Sequence, residues 1–285
     1  MGLGDDLLVT SFAESEKMKY PDKQIVIGNF KEKKIYDSLI YKNNPNITPA
    51  NKVEQSKPTH FIDYHTGNRP YIDYKKSNSK NYKWNMKFSP IPGKLYFSET
   101  ELSNAKKIIA SAKNFWKKNN KSQFKGIIFF ESTSTKVEDS FFYYKIKNLD
   151  WGESNWQKLI LKLKDNYLII QSKHKKSKKY SGTYYSAIDF DFRTACAIID
   201  QCDLFIGPHG GFVHAAAALQ KKAVQYLGGW IHPKVMGYGF HENIYFNHSL
   251  SPCGAIGYIC DHCEQARKNI SVQFFYEKVI SKLTS

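Results

Sequence analysis

An α/β fold built on parallel sheets is what this sequence predicts, on three observations. Short apolar runs suited to buried strands recur along the chain: QIVIG at 24–28, GIIFF at 126–130, YLIIQ at 167–171 and LFIG at 204–207. Segments with apolar residues at helical spacing separate them, and that alternation favours parallel strands covered by helices. No run of about 18 apolar residues occurs, so a membrane-spanning helix is excluded.

Each element follows from a local pattern. Residues 6–19 read as a helix after a Gly-Leu-Gly-Asp turn, with Leu8, Phe12 and Ser15 on one side, broken at Tyr20-Pro21-Asp22. Residues 24–28 form a strand. Residues 32–42 read as a second helix with Ile35, Leu39 and Ile40 inward, and residues 58–64 as another strand. The aromatic, Pro- and Gly-containing stretch 65–95 reads as ordered loop. Residues 98–118 form an amphipathic helix in which Leu102, Ala105, Ile109, Ala112 and Trp116 recur, and Ser98 with Glu101 makes a capping box. The polar stretch 117–123 is a linker, which predicts two domains, 1–120 and 121–285. The second half repeats the alternation with strands at 126–130, 167–171, 204–207 and 223–227. Its helices lie at 153–163, at 192–202 behind an Asp191 cap, at 211–219 behind glycine, and at 272–283. The run KHKKSKK at 173–179 reads as a solvated loop.

Composition bounds the function. The 285 residues include 42 Lys and Arg against 26 Asp and Glu, a formal charge of +16. Such a field attracts polyanions: nucleic acid, an anionic membrane face or phosphorylated small molecules. The positive charge is nearly all Lys, which supports sequence-specific DNA reading only weakly. Aromatics at 15% exclude a disordered chain. The opening MGLGDDLLVTSF has neither a basic flank nor the apolar core of a secretory leader, which predicts a cytoplasmic protein.

Four motifs carry chemistry. Gly2-Leu3-Gly4-Asp5-Asp6 is a glycine turn opening a helix, whose free N–H groups suit an anion. There Asp5 or Asp6 serves either as helix cap or, facing a cleft, as general base for a hydroxyl. In the stretch from Asp203 to Leu219, a strand ends at Gly207 and a His209-Gly210-Gly211 turn opens an Ala-rich helix through Phe212 and His214. That is the geometry of a phosphate cradle at the carboxyl end of a strand. After the strand at 126–130, Ser132, Thr133 and Lys136 make a second phosphate-contacting loop, while Trp151 and Trp156 read as packing. Last, Cys253, Cys260 and Cys263 contain one CxxC pair. They form a structural metal site with a histidine from His232, His241, His248 or His262, or they stay reduced, or they pair as a disulfide.

Together these motifs resemble the heptosyltransferase-like glycosyltransferases of family 9. GLGDDLLVTSFAESEKMKYPDKQIVI is similar to that family's opening, WGESNWQKLI to its Trp-Pro-x-x-x-Trp/Phe-x-x-Leu segment, and DLFIGPHGGFVHAAAALQKKAVQYLGG to its donor-phosphate loop and following strand. The late SPC and CxxC residues also occur in many members. The resemblance implies a GT-B fold, two Rossmann-like domains facing a central cleft. The family's first strand precedes the Gly-Asp turn, so either the true start lies upstream or the sheet lacks that strand, and at 285 residues the N-terminal domain is expected to be reduced. It also implies inverting transfer of a sugar, a heptose among the candidates, from a nucleoside diphosphate sugar (an ADP-sugar favoured) to a cell-envelope glycolipid or polysaccharide.

In that scheme Asp5 is the base. Ser132, Thr133, Lys136, His209, Gly210, Gly211, Phe212 and His214 bind the donor. Asp6, His65 and Arg69 bind an anionic acceptor, and the positive field suits the inner membrane face. No cofactor is needed for catalysis, and the three cysteines hold a structural zinc or iron. Three other readings stand beside it: a nucleotide-sugar epimerase, a non-catalytic nucleotide-sugar binder of the same fold, and a nucleic-acid-binding protein.

Overall fold

The computed structural model describes residues 2–132, 143–172, 178–186 and 191–285. In order these form α1 (Leu3–Lys19), β1 (Gln24–Asn29), β2 (Lys34–Ile35), β3 (Thr59–Asp63), α2 (Glu99–Asn119), β4 (Gly126–Phe130), α3 (Tyr143–Leu149), α4 (Glu153–Leu163) and β5 (Tyr167–Gln171). There follow β6 (Tyr184–Tyr185), α5 (Phe192–Ile199), β7 (Leu204–Pro208), α6 (Gly211–Ala218), β8 (Ala223–Gly228), α7 (Pro233–Met236), β9 (Glu242–Tyr245), α8 (Asp261–Asn269) and α9 (Val272–Thr284). None of the described helices is long and apolar enough to cross a membrane.

The strands sort into two sheets. The larger runs β6-β5-β4-β7-β8-β9, with every pair parallel. That is the doubly wound order, in which successive strands are added outward in one direction from β4 to β6 and in the other from β7 to β9. Ligands of open α/β sheets bind outside the carboxyl ends of the strands at this switch point. Strands β4, β5 and most of β7 are buried on both faces, which is why they read as continuous apolar runs rather than alternating ones. The smaller sheet is β2-β1-β3, with β1 and β3 parallel and β2 antiparallel. The described strands thus make a three-stranded sheet in the first half of the chain and a six-stranded one in the second.

Local signals located most elements. Strands β4 and β5 and helix α4 lie where the apolar pattern put them, and α2 starts behind the Ser98–Glu101 capping box. Ala105, Ile109, Ala112 and Trp116 are its buried stripe. Asp191 caps α5 by accepting the Thr194 N–H at 2.7 Å.

Two expectations fail. The first helix begins at Leu3, not residue 6, so Gly4, Asp5 and Asp6 lie inside its first turn and neither aspartate is the cap. Its buried set is Asp6, Leu7, Leu8, Val9, Thr10 and Ala13, because α1 is covered on more than one side; Phe12 and Ser15 are only partly buried. Residues 32–42 do not form a helix. The chain turns at Lys33 (φ 52°), the Tyr36 N–H bonds Ile27 O at 2.8 Å, and a single 3-10 turn covers Leu39–Tyr41. Ile40 is buried as expected, Leu39 is exposed, and pairing with the edge of β1 overrides the weak helical period.

The halves are joined through side chains. Leu7, Val9 and Ala13 of α1 share one apolar cluster with Cys196 of α5 and Ala215 of α6. Arg193 of α5 is buried. It pairs with Glu101 at 2.5 Å and donates to Leu39 O at 3.0 Å and to Tyr96 O. One guanidinium thus holds the 3-10 turn and the start of α2 against the large sheet's helices.

Candidate functional site

A cleft of about 350 Å³ opens at the switch point. Its floor is the meeting of two helix starts. Gly2 precedes α1 and Gly210 precedes α6, and neither helix has a side-chain cap. A Cβ on Gly4 would lie 3.0 Å from His214 Cδ2 and 3.4 Å from the Gly211 Cα, so only glycine lets the two backbones approach this closely. First-turn N–H groups and the positive ends of two helix dipoles therefore converge on one space, an arrangement suited to a diphosphate.

Asp5 lines the same cleft. Its Oδ1 accepts from Tyr71 Oη at 2.5 Å and from Tyr64 Oη at 3.2 Å, and its Oδ2 pairs with Arg69 at 3.1 Å. Burial, reinforced by the Asp5 charge, pushes the Tyr64 and Tyr71 hydroxyls well above the ordinary phenol value, so both act as donors.

On the other wall, burial and then the nearby His214 push His209 down to about 3. Burial and then His241 push His214 down to about 4. Both rings are neutral at pH 7. His214 Nδ1 lies 2.7 Å from Tyr238 Oη, and His209 Nδ1 lies 3.3 Å from Gln225 Oε1. Gln225 Nε2 donates to Met236 O and Asn243 Oδ1, so its oxygen faces His209, which carries its proton on Nδ1. A phosphate oxygen at His209 Nε2 then requires a second proton on the ring.

These histidines set a pH dependence. Each has a folded-state value below the ordinary 6.5, so the unfolded chain binds more protons below that pH. Stability is expected to be level above pH 6.5 and to fall progressively towards pH 4. Urea unfolding at pH 7, 6, 5 and 4 measures this, and His241→Gln should make the decline shallower.

The expected site residues divide as follows. Asp5, Arg69, Ser132, His209, Gly210, Gly211, Phe212 and His214 all line the cleft. Thr133 and Lys136 lie outside the described residues, as does most of the 173–179 run. Asp6 and His65 do not line the cleft. Asp6 accepts from Ser38 Oγ at 2.7 Å and from Tyr41 Oη at 3.4 Å, and burial raises its carboxyl above the ordinary value. His65 is near Asp63, at 3.7 Å. Trp151 and Trp156 are buried packing residues.

Several lining residues were not foreseen. Glu131 directly follows β4 and Ser172 directly follows β5, so the rule of strand ends could have found both. Lys145 of α3 also lines the cleft, with its ammonium 5.3 Å from the Trp230 ring centroid, and it adds to the lowering of both histidines. Nothing in its sequence context marks it. Tyr71, Tyr82 and Trp84 come from the 65–95 stretch, which no local pattern directs into the cleft.

Beside the cleft, the sulfurs of Cys253, Cys260 and Cys263 lie within 4.8 Å of one another, with Cys253 and Cys263 3.3 Å apart. All five cysteines are free. The thiol of Cys260 is held below its ordinary value by hydrogen bonds from the other two thiols and from the backbone at the start of α8. Three clustered sulfurs fit a zinc or iron ion. The expected histidine ligand is absent among the described residues. His232 caps α7, His241 bonds Lys221 O, His262 bonds Ser251, and His248 stacks on Phe246.

No family profile matches the chain, and no curated protein matches it in sequence. Solved structures do match. The glycosyl transferase family 9 protein from Veillonella parvula is 12% identical with a TM-score of 0.61, over 100% of this chain and 95% of that one. The iron-containing dodecameric glycosyltransferase TibC from enterotoxigenic E. coli is 13% identical with a TM-score of 0.56, over 100% of this chain and 74% of that one. The ADP-heptose lps heptosyltransferase II of E. coli is 16% identical with a TM-score of 0.42, over 67% of this chain and 53% of its own length. This chain therefore has the GT-B-like fold of the glycosyltransferases of family 9.

Proposed function

We propose that this protein is a glycosyltransferase that moves a sugar from a nucleoside diphosphate sugar to a hydroxyl acceptor, with inversion at the anomeric carbon. The observation that carries the reading is the convergence of two uncapped helix starts at Gly4 and Gly211, with the Asp5 carboxylate in the same cleft. In this reading residues 1–120 form the acceptor side and residues 121–285 the donor side.

The acceptor oxygen attacks the anomeric carbon while its proton passes to an Asp5 oxygen. The bond from that carbon to the diphosphate breaks, and the nucleoside diphosphate leaves with one more negative charge. The first-turn N–H groups of α1 and α6 and the Lys145 ammonium stabilise that charge. Arg69 faces the acceptor and suits an anionic group on it. An ADP-sugar is the donor class to test first, with heptose among its sugars, and a cell-envelope glycolipid at the inner membrane face is the acceptor class. The lysine-rich surface supports peripheral contact with anionic lipid from the cytoplasm. The three cysteines would hold a zinc or iron ion that supplies cross-linking, not chemistry.

One feature favours a second reading, a nucleotide-sugar binder without transferase activity: both Asp5 oxygens are already engaged by Tyr64, Tyr71 and Arg69. Calorimetric titration with ADP, GDP, UDP and CMP, followed by incubation with the matching nucleotide sugars, separates the two. Saturable binding of one nucleotide, with release of that nucleotide when acceptor is present, is the expected result. Binding without turnover on any envelope glycan would favour the second reading, and no binding by the folded protein would remove both.

A further inference from the structure

The stretch 69–88 is built as a two-armed strap. Its arms pair with each other: the Asp73 N–H bonds Lys83 O at 2.8 Å, the Asn85 N–H bonds Tyr71 O at 3.0 Å, and Ile72 bridges Trp84. The first arm reaches the cleft, because Arg69 and Tyr71 are both partners of Asp5. The second arm is fastened to the cysteine loop in the other half of the chain. Asn81 Nδ2 donates to Cys253 O at 3.1 Å, and the Tyr82 N–H bonds Gly254 O at 2.8 Å. The N–H groups of Ile256 and Gly257 both bond Lys80 O, and Trp84 Nε1 donates to Trp230 O at 3.1 Å. Gly254 has φ +61°, and a Cβ there would lie 2.1 Å from Tyr82 O, so the close seat needs glycine. Tyr71, Ile72, Trp84, Trp230, Cys260 and Cys263 belong to one apolar cluster.

We propose that this strap couples the cysteine cluster to Asp5, so that a metal ion on Cys253, Cys260 and Cys263 orders the strap and thereby positions Arg69 and Tyr71 on the cleft carboxylate. Asn81 and Trp84 are positioning residues in this scheme, since they act only through the strap. The proposal rests on the reading above only in treating Asp5 as the base, and its test uses no transfer activity. Without the ion, the loop at 253–260 is held by its hydrogen bonds and apolar packing. With it, three thiolates fix that loop to the start of α8, and the arm seated on the loop loses freedom. Coupling is reciprocal, so a loosened strap must weaken the metal by the same factor that the metal tightens the strap.

Hydrogen exchange of the full-length protein, with and without Zn(II), reads one side of the coupling. Competition for Zn(II) against a chromophoric chelator reads the other. Zinc is expected to slow the amides of Asp73, Tyr82 and Asn85 by at least about fivefold in the parent protein, while amides of β1 and α6 stay unchanged. Asn81→Ala, which removes only side-chain bonds to Cys253 O and Tyr258 Oη, is expected to lose most of that slowing and to bind zinc at least about fivefold more weakly. The proposal is overturned if zinc slows only residues 253–260, if Asn81→Ala binds zinc as the parent does, or if the parent binds no zinc. None of these outcomes depends on nucleotide binding, which tests the transferase reading separately.

Discussion

Replacing Asp5 with asparagine is expected to lower the rate of sugar transfer by about 10²–10⁴-fold, the usual contribution of a positioned base, while nucleoside diphosphate affinity stays nearly constant. The amide keeps the volume of the carboxylate and its side-chain oxygen, which can still accept from Tyr64 or Tyr71. It cannot take the acceptor's proton. It also leaves Arg69 without its counter-ion, and both side chains of that pair are mostly buried, at 10% and 13% exposure. Loss of the partner in a pair this enclosed is destabilising, so thermal unfolding of the variant has to accompany the kinetics. A fall in transfer at temperatures where the variant remains folded assigns the base. Equal activity in Asp5→Asn would remove Asp5 from that role, and Glu131 is the next carboxylate on the cleft wall to test.

Gly211→Val is expected to weaken nucleoside diphosphate binding by about tenfold or more. A Cβ at Gly211 would lie 3.1 Å from Phe192 Cε2 and 3.6 Å from the Gly4 nitrogen, and Phe192 is held by stacking on Phe212 at 4.7 Å. The aromatic ring therefore has little room to yield, and the branched methyls displace the α6 start from the α1 start. Hydrogen bonds to a charged group contribute about 1.5–3 kcal/mol each, and about 1.4 kcal/mol is a factor of ten in affinity. Losing one backbone donor to the diphosphate is enough to produce the effect. Calorimetry with the nucleotide that binds the parent protein measures it, and unchanged affinity would place the phosphates away from this junction.

Both predictions concern residues visible in the sequence, yet their partners were not. The His209-Gly210-Gly211 turn and the Asp5 turn each announce a helix start, because glycine followed by helical periodicity is a local signal. That the two starts touch is a contact between residues more than 200 positions apart in the chain. The same holds for the proposed base. Asp5 was legible as a carboxylate at a helix start, whereas Tyr64, Tyr71 and Arg69 reach it only once β3 and the strap are in place. Asp6, its immediate neighbour, points instead to Ser38 and Tyr41, since successive residues of a helix face different directions.

The sequence by itself determined the parallel α/β class, the bounds of β4, β5 and α4, the Ser98–Glu101 and Asp191 caps, and the glycine turn that opens α6. Each of these rests on residues within a turn or two of one another. The tertiary structure decided the rest. It converted residues 32–42 from an expected helix into a strand and a 3-10 turn, because the edge of β1 offered backbone partners. Among the described residues it left the cysteines without a histidine, and it laid the strap from Asp5 to Cys253. Backbone pairing and side-chain burial between distant segments carry no period that a linear reading can detect, and they override local preference wherever that preference is weak.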